Sequence, residues 1–269
     1  MNAQSELFYF DDQELIKVAN RFKGRYAVAK PFPHIVIDGF LPPSVADGIL
    51  AEFPAPGQIK WHTFNDPDQI KLACNDTTQM GPFTRHVLSQ FNSASFVNFL
   101  ETLTGISGLV PDPHFEGGGL HQIKRTGLLR VHADFNHHPR MKLDRRLNAL
   151  LYLNKDWRDE YRGHFELWDH DMKKCEVKVA PLFNRFVVFT TTDFSYHGHP
   201  DPLTCPDGMT RKSIALYYYS NGRPVEEVSE GHTTLFQDRP TDRKSKAKKF
   251  IKSLVPPIMV DAVRAVKRP

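Results

Sequence analysis

Hydrophobic and polar residues alternate in short runs along the second half of the chain, which is the pattern of β-strands with one buried face. The predicted strands are Leu120–Lys124, Leu128–His132, Leu147–Leu153, His164–Trp168, Glu176–Val179, Arg185–Thr191 and Arg211–Tyr219. Turn-rich segments separate them at 117–119, 136–139, 181–184 and 198–208. Many short strands at this spacing predict a sandwich or a barrel.

The first part of the chain has a different pattern. Residues 35–37 form a predicted strand, and Pro42-Pro43 favours a helix start, because proline suits the first helical turn. A second helix is predicted from Ser93 to Thr104. The predicted fold class is therefore α+β and mainly β. The expected divisions are an N-terminal strand and helical support region packed on the core (1–115), a β-core (116–222) and a basic, partly helical C-terminal extension (223–269).

Composition is that of a globular protein. The 269 residues are 40% hydrophobic and 25% charged, which allows a sizeable core and excludes collagen-like, coiled-coil and wholly disordered chains. No uncharged stretch reaches the ~20 residues of a membrane span. Residues 1–10 lack the basic and apolar regions of a signal peptide.

Three scattered cysteines, Cys74, Cys175 and Cys205, fit a reducing compartment, so we expect a cytoplasmic protein.

The net charge of +4 is unevenly distributed. Residues 239–269 contain ten Lys/Arg and two Asp/Glu, whereas residues 1–238 contain 25 and 29. The basic run Arg243–Lys249 could contact nucleic acid or an anionic surface. A solvated terminal helix is the simpler interpretation, and the apolar residues after it, from Phe250 to Val266, indicate packing. Nothing in the sequence indicates the oligomeric state.

Histidine carries most of the chemical information. Seven of the thirteen histidines lie between residues 131 and 200. His132-Ala133-Asp134 ends an apolar run, and a strand turns alternate side chains to the same face. One distant histidine added to this pair gives the two-histidine, one-carboxylate set that binds Fe(II) and leaves positions open. His197, which follows the strand 185–191, is the predicted third ligand, with His199 as the alternative.

A candidate anion-binding residue follows the histidines. Arg211, fourteen residues after His197, opens the strand that runs to Tyr219. A guanidinium at the mouth of a barrel can bind a carboxylate through two parallel hydrogen bonds. A dicarboxylate cosubstrate would need such a residue, although a surface ion pair is an equally simple reading of Arg211 alone.

Together these motifs make residues 132–219 similar to the 2-oxoglutarate and Fe(II)-dependent dioxygenases of the prolyl hydroxylase group. Leu151–Trp157 resembles the strand and turn that follow the first two ligands in that family. Residues 184–189 resemble the strand leading to the distal histidine, and Arg211–Tyr219 resembles the strand with the oxoglutarate arginine. The His-x-Asp motif, the distal histidine and the arginine occur in the family's order.

The resemblance implies a fold, a set of ligands and a reaction. The fold is a double-stranded β-helix (jelly roll). His132, Asp134 and His197 would bind Fe(II), and Arg211 and Tyr152 would bind the distal carboxylate of the cosubstrate 2-oxoglutarate. The reaction would use O2, with ascorbate as reductant, to hydroxylate an unactivated C–H of a peptidyl (prolyl or other) or small-molecule acceptor, releasing succinate and CO2. Loops 135–146 and 199–210 are the expected substrate walls.

Two other functions stay open from the sequence. The same β-helix could bind a metal or ligand without catalysis. Alternatively, the histidine-rich face could hold zinc and hydrolyse a substrate through a bound water. No His-Glu-x-x-His motif is present, however, and a zinc hydrolase would leave Arg211 unexplained.

Overall fold

The computed structural model describes residues 7–242. The described helices are α1 (Asp12–Val28), α2 (Pro43–Glu52), α3 (Pro82–Phe91) and α4 (Ala94–Thr104). The described strands are β1 (His34–Asp38), β2 (His62–Asn65), β3 (Gln69–Cys74), β4 (Val110–Pro111), β5 (Gly119–Lys124), β6 (Leu128–Ala133), β7 (Asp144–Tyr152), β8 (Phe165–Trp168), β9 (Cys175–Val179), β10 (Arg185–Thr190), β11 (His197–His199), β12 (Thr210–Ser220) and β13 (Leu235–Phe236).

Local sequence explains where the helices begin and end. The Asp11 carboxylate accepts a hydrogen bond from the backbone N–H of Glu14 and caps α1. Helices α2 and α3 both start with proline in the first turn, as predicted for α2. Helix α4 is capped by Ser93 and stops at Gly105, whose φ of 75° is the left-handed conformation that glycine adopts readily.

The strands form one rolled antiparallel sheet. Its order is β1-β10-β7-β12-β5-β3-β6-β11-β8-β9, with β2 and β4 beside β3 and β12, and β13 on β6. Strand β3 joins the two halves of the roll, because it pairs with β5 over Leu72–Cys74 and with β6 over Gln69–Ile70. The predicted α+β, mainly β class with a jelly-roll core is therefore confirmed.

Alternation along the central strands separates a helix-covered face from an interior face. On β12, Ile214, Leu216 and Tyr218 pack in the main hydrophobic core with the four helices. The residues between them, Ala215 and Tyr217, point into the roll and line a cavity. The helices thus cover one face of the sheet and leave the other face to form the site.

Several elements differ from those expected. Helices α1 and α3 and strands β2, β3, β4, β11 and β13 were not predicted. Helix α1 is polar on most of its surface and buries only Leu15, Ala19 and Tyr26, so its apolar stripe is too narrow to detect. Strand β11 falls inside the segment 198–208, which was predicted to be turn-rich. The predicted boundary between the N-terminal support region and the β-core, at residues 115 and 116, stays a prediction.

Two further expectations concern cysteines and membranes. Cys74, Cys175 and Cys205 are all free thiols. Among residues 7–242, no helix combines the length and apolar character that a membrane crossing requires. The basic run Arg243–Lys249 and the apolar residues after it lie outside the described part of the chain.

Replacing Phe96 with alanine is expected to destabilise the protein strongly. Phe96 is fully buried, and its ring lies 4.8–6.1 Å from those of Phe91, Phe40 and Tyr218. Phe96→Ala should lower the free energy of unfolding by about 3–5 kcal/mol in urea denaturation, because it leaves a cavity in the core. Phe194→Ala, which removes a half-exposed ring, is the control and should cost less than about 1 kcal/mol. Equal losses for the two variants would contradict this packing.

Candidate active site

A cavity of about 390 Å³ lies inside the rolled sheet. Residues from β2, β3, β5, β6, β7, β8, β11 and β12 line it. Arg211 and Tyr152 line one part of it, and the predicted metal ligands His132, Asp134 and His197 line another. The sequence-predicted residues thus face one common space.

His132, Asp134 and His197 converge on one point. His132 on β6 is directly opposite His197 on β11, and Asp134 follows the end of β6 on the same face as His132. His132 Nε2 lies 3.5 Å from one carboxylate oxygen of Asp134, and His197 Nε2 lies 3.4 Å from the other. One ligand atom from each residue falls within 4.8 Å of the other two. This spacing and donor set fit a single metal ion.

Backbone carbonyls orient both imidazole rings. The Nδ1 atoms of His132 and His197 lie 2.8 Å from the carbonyl oxygens of Arg130 and Ser195. Because a carbonyl only accepts hydrogen bonds, each Nδ1 carries the proton and each Nε2 keeps a lone pair for a metal. Burial lowers the pKa of His197 to about 4, against the opposing charge of Asp134, so this ring is neutral at pH 7.

Arg145 and Asn148, which sequence reasoning missed, hold the Asp134 carboxylate. The Asn148 amide donates a 2.7 Å hydrogen bond to Oδ2 of Asp134, and Arg145 Nη2 lies 3.1 Å from the same oxygen. Burial acts to raise the pKa of Asp134, but Arg145, His197 and His132 outweigh burial and hold this pKa well below its usual range. Asp134 is therefore ionised and fixed in direction.

Arg211 is a buried cation at the other end of the cavity. Its Nε donates a 2.8 Å hydrogen bond to the carbonyl of Gly163, and its Nη2 lies 3.4 Å from the Tyr152 hydroxyl. No carboxylate among residues 7–242 forms an ion pair with it, although its side chain is only 3% exposed. A buried guanidinium without an anion is costly, so this end of the cavity is suited to an anionic ligand.

Gly163 has to be glycine for this arrangement. Its φ is +72°, and a Cβ added there would lie 2.6 Å from Leu203 and 3.1 Å from Arg211. Any side chain at this position would push Arg211 away from the carbonyl that orients it.

The structure brings His197, and not His199, to His132 and Asp134. His199 is buried, lines the cavity and is outside the three-residue cluster. His137 and His138 do not line the cavity, since His137 faces Asp144 and His138 accepts hydrogen bonds from backbone N–H groups.

The expected substrate walls are only partly those observed. Of loops 135–146 and 199–210, the residues Phe135, Arg145 and His199 line the cavity. Strands β2 and β3 contribute His62, Phe64, Lys71 and other residues instead. The ligand roles of the predicted residues stay predictions at this stage.

Comparison with known proteins agrees with this geometry. Residues 118–219 match the family model described as the 2OG-Fe(II) oxygenase superfamily. This segment contains all five predicted site residues: His132, Asp134, Tyr152, His197 and Arg211. The resemblance inferred from the sequence is confirmed for this segment, which is similar to the 2OG-Fe(II) oxygenase superfamily. No curated protein matches the chain.

Solved structures show the same fold. A prolyl hydroxylase from Trichoplax adhaerens, in complex with a hypoxia inducible factor peptide fragment, has 16% identity and a TM-score of 0.55, covering 77% of this chain and 91% of its own. A Pseudomonas putida prolyl-4-hydroxylase has 15% identity and a TM-score of 0.52, covering 76% of this chain and 100% of its own. A non-heme alpha-ketoglutarate-dependent carbocyclase from nogalamycin biosynthesis has 12% identity and a TM-score of 0.52, covering 86% of this chain and 97% of its own.

Removing one ligand from the cluster is expected to weaken metal binding strongly. His197→Ala should weaken the binding of Mn(II), a redox-stable substitute for Fe(II), by about a hundredfold or more in isothermal titration, since even indirect ligand supports contribute 10–100-fold. His199→Ala, two residues away on the same strand, is the matched control and should keep metal affinity close to that of the unaltered protein. The reverse order of effects would make His199 the third ligand.

Proposed function

We propose that this protein is an Fe(II)- and 2-oxoglutarate-dependent dioxygenase that hydroxylates an unactivated C–H of a peptidyl or small-molecule acceptor and releases succinate and CO2. One observation carries the proposal: a three-residue metal-ligand cluster and a buried, carboxylate-free Arg211 face the same cavity. A metal-binding module needs only the first feature. A dicarboxylate cosubstrate that also chelates the metal accounts for both.

The protein side chains would position the reactants. His132, Asp134 and His197 would hold one face of the metal and leave the remaining positions open for 2-oxoglutarate and O2. Arg211 and Tyr152 would bind the distal carboxylate, and the reach between Arg211 and the metal would select a five-carbon diacid. When bound, the ferrous ion supplies the activation of O2 and the oxidation of the C–H bond.

The walls around these groups would exclude water. Leu150 and Phe165 line the cavity, and the His197 ring packs against Phe165 and Phe189. A site of low polarity strengthens the electrostatic interactions within it and protects reactive species from side reactions. This environment favours oxidation of the acceptor over loss of the oxidant to solvent.

The acceptor is proposed at the level of its class. The Trichoplax prolyl hydroxylase of similar fold is bound to a peptide fragment, which supports a peptide side chain, prolyl or other, as the acceptor here. The carbocyclase of similar fold belongs to nogalamycin biosynthesis, which supports a small molecule. Fold alone does not choose between them.

The unaltered protein, supplied with Fe(II), ascorbate and 2-oxoglutarate, is expected to release CO2 and succinate slowly even without an acceptor. Arg211→Ala should raise the 2-oxoglutarate concentration for half-maximal release by about tenfold to a hundredfold, because a charge-assisted hydrogen bond contributes about 1.5–3 kcal/mol. The measurement is CO2 release against cosubstrate concentration. Arg158→Ala, which alters an exposed arginine, is the control.

Three outcomes would contradict the proposal in different ways. An unchanged 2-oxoglutarate requirement in Arg211→Ala would remove the cosubstrate role of Arg211. Binding of metal and 2-oxoglutarate with no CO2 release would favour the catalytically silent module. Hydrolysis supported by zinc without 2-oxoglutarate would favour the hydrolase.

A further inference from the structure

The wall of the cavity near the metal-ligand cluster contains two cations beyond Arg211. They are Arg145 on β7 and Lys71 on β3, and both line the cavity. Neither is needed to hold 2-oxoglutarate by Arg211 and Tyr152. Arg145 holds Asp134 through its Nη2, so only its remaining donor and Lys71 need a separate explanation.

Arg145 has one hydrogen-bonding group without a partner. Its Nε and Nη2 both donate to the side-chain oxygen of Asn148, at 2.9 and 2.7 Å, and Nη2 also faces Asp134. Its guanidinium carbon lies 3.5 Å from the ring centre of Tyr217. The side chain is 1% exposed, and its Nη1 is buried with no hydrogen-bond partner among the described residues. A fixed donor of this kind is unusual in a folded protein unless a ligand or an ordered water satisfies it.

Lys71 has no anionic partner in direct contact. Its ammonium lies 4.9 Å from the ring centre of Phe64, and no carboxylate within residues 7–242 comes close enough for an ion pair. Burial lowers the pKa of Lys71 to about 8, and the charges of Asp134 and Asp66 oppose this shift. Lys71 is thus mostly protonated at pH 7 and lies within the field of Asp134 and Arg145.

The formal charges of the cavity leave a positive excess. A divalent metal ion and the 2-oxoglutarate dianion cancel one another. Asp134 and Glu116 line the cavity and offset two of its three cations, Lys71, Arg145 and Arg211. One positive charge is left over in this sum, and a low-polarity site favours a ligand that neutralises it.

We propose that the acceptor carries an anionic oxygen group, a carboxylate or a phosphate, which Lys71 and Arg145 Nη1 bind beside the metal. This inference rests on the proposed function and adds the chemical class of the acceptor to it. Tyr217 and Phe135, whose rings cover the Arg145 guanidinium, would shield this group from water. Lys71 and Arg145 act as specificity-determining residues, since they touch the acceptor away from its reacting carbon.

The test uses two simple anions as probes on the full chain loaded with Mn(II) and 2-oxoglutarate. Acetate and inorganic phosphate are titrated by calorimetry into the unaltered protein, Lys71→Met, Lys71→Arg and the control Lys60→Met, which changes an exposed lysine. At least one anion should bind the unaltered protein, and Lys71→Met should weaken it at least tenfold. Lys71→Arg should restore most of the affinity, and Lys60→Met should have no effect. Tighter binding of phosphate would identify a phosphorylated acceptor, and equal or tighter binding of acetate a carboxylate.

The outcomes separate this inference from the proposed function. CO2 release by the unaltered protein with no binding of either anion would overturn the inference alone. If Lys71→Met weakened the binding of the anions and of 2-oxoglutarate equally, Lys71 would belong to the cosubstrate site. That result would also overturn the inference. Absence of CO2 release would overturn the oxygenase and, with it, the acceptor role of these residues.

Discussion

The buried carboxylate of Asp134 is the charge on which the site depends. Its two oxygens face His132, His197, Arg145 and the amide of Asn148, all from different points of a rolled sheet. An ionised carboxylate inside a protein is tolerated only when cations and hydrogen-bond donors surround it. The same group compensates the Arg145 guanidinium before any metal binds. Loss of Asp134 would therefore remove a metal ligand and leave a buried cation unpaired.

The fold keeps the charged groups of the cavity apart and in fixed positions. Strand β12 holds Arg211 at one end and Tyr217 toward the other, while the helices pack against its opposite face. Because Arg211, His132 and His197 all lie on strands, the distance between Arg211 and these metal ligands is set by strand register and not by loop conformation. This arrangement gives a buried anion site at Arg211 and two further cations, Lys71 and Arg145, in the same cavity.

Periodicity predicted the central strands and the shared direction of His132 and Asp134, because a period of two is a strong signal over an apolar run. It did not predict β11, since a three-residue strand has no measurable period, and only family resemblance singled out His197.

Arg145 was missed for a physical reason. Tyr218 lies opposite Leu147 and Tyr219 lies opposite Arg145, so Arg146 has no partner on β12. This bulge in β7 turns Arg145 into the cavity, whereas strict alternation would place Arg146 there. Lys71 was missed with β2 and β3, whose polar, partly exposed residues show little alternation.

A crystal structure of the protein prepared without oxygen, with Fe(II) and 2-oxoglutarate bound, is the most direct test of this arrangement. It should contain one metal ion bound by His132 Nε2, the Asp134 carboxylate and His197 Nε2. The keto acid end of 2-oxoglutarate should chelate that ion, and its distal carboxylate should contact Arg211 and Tyr152. A metal bound elsewhere, or a distal carboxylate that lies away from Arg211, would contradict the assignment of this cavity as an oxygenase site.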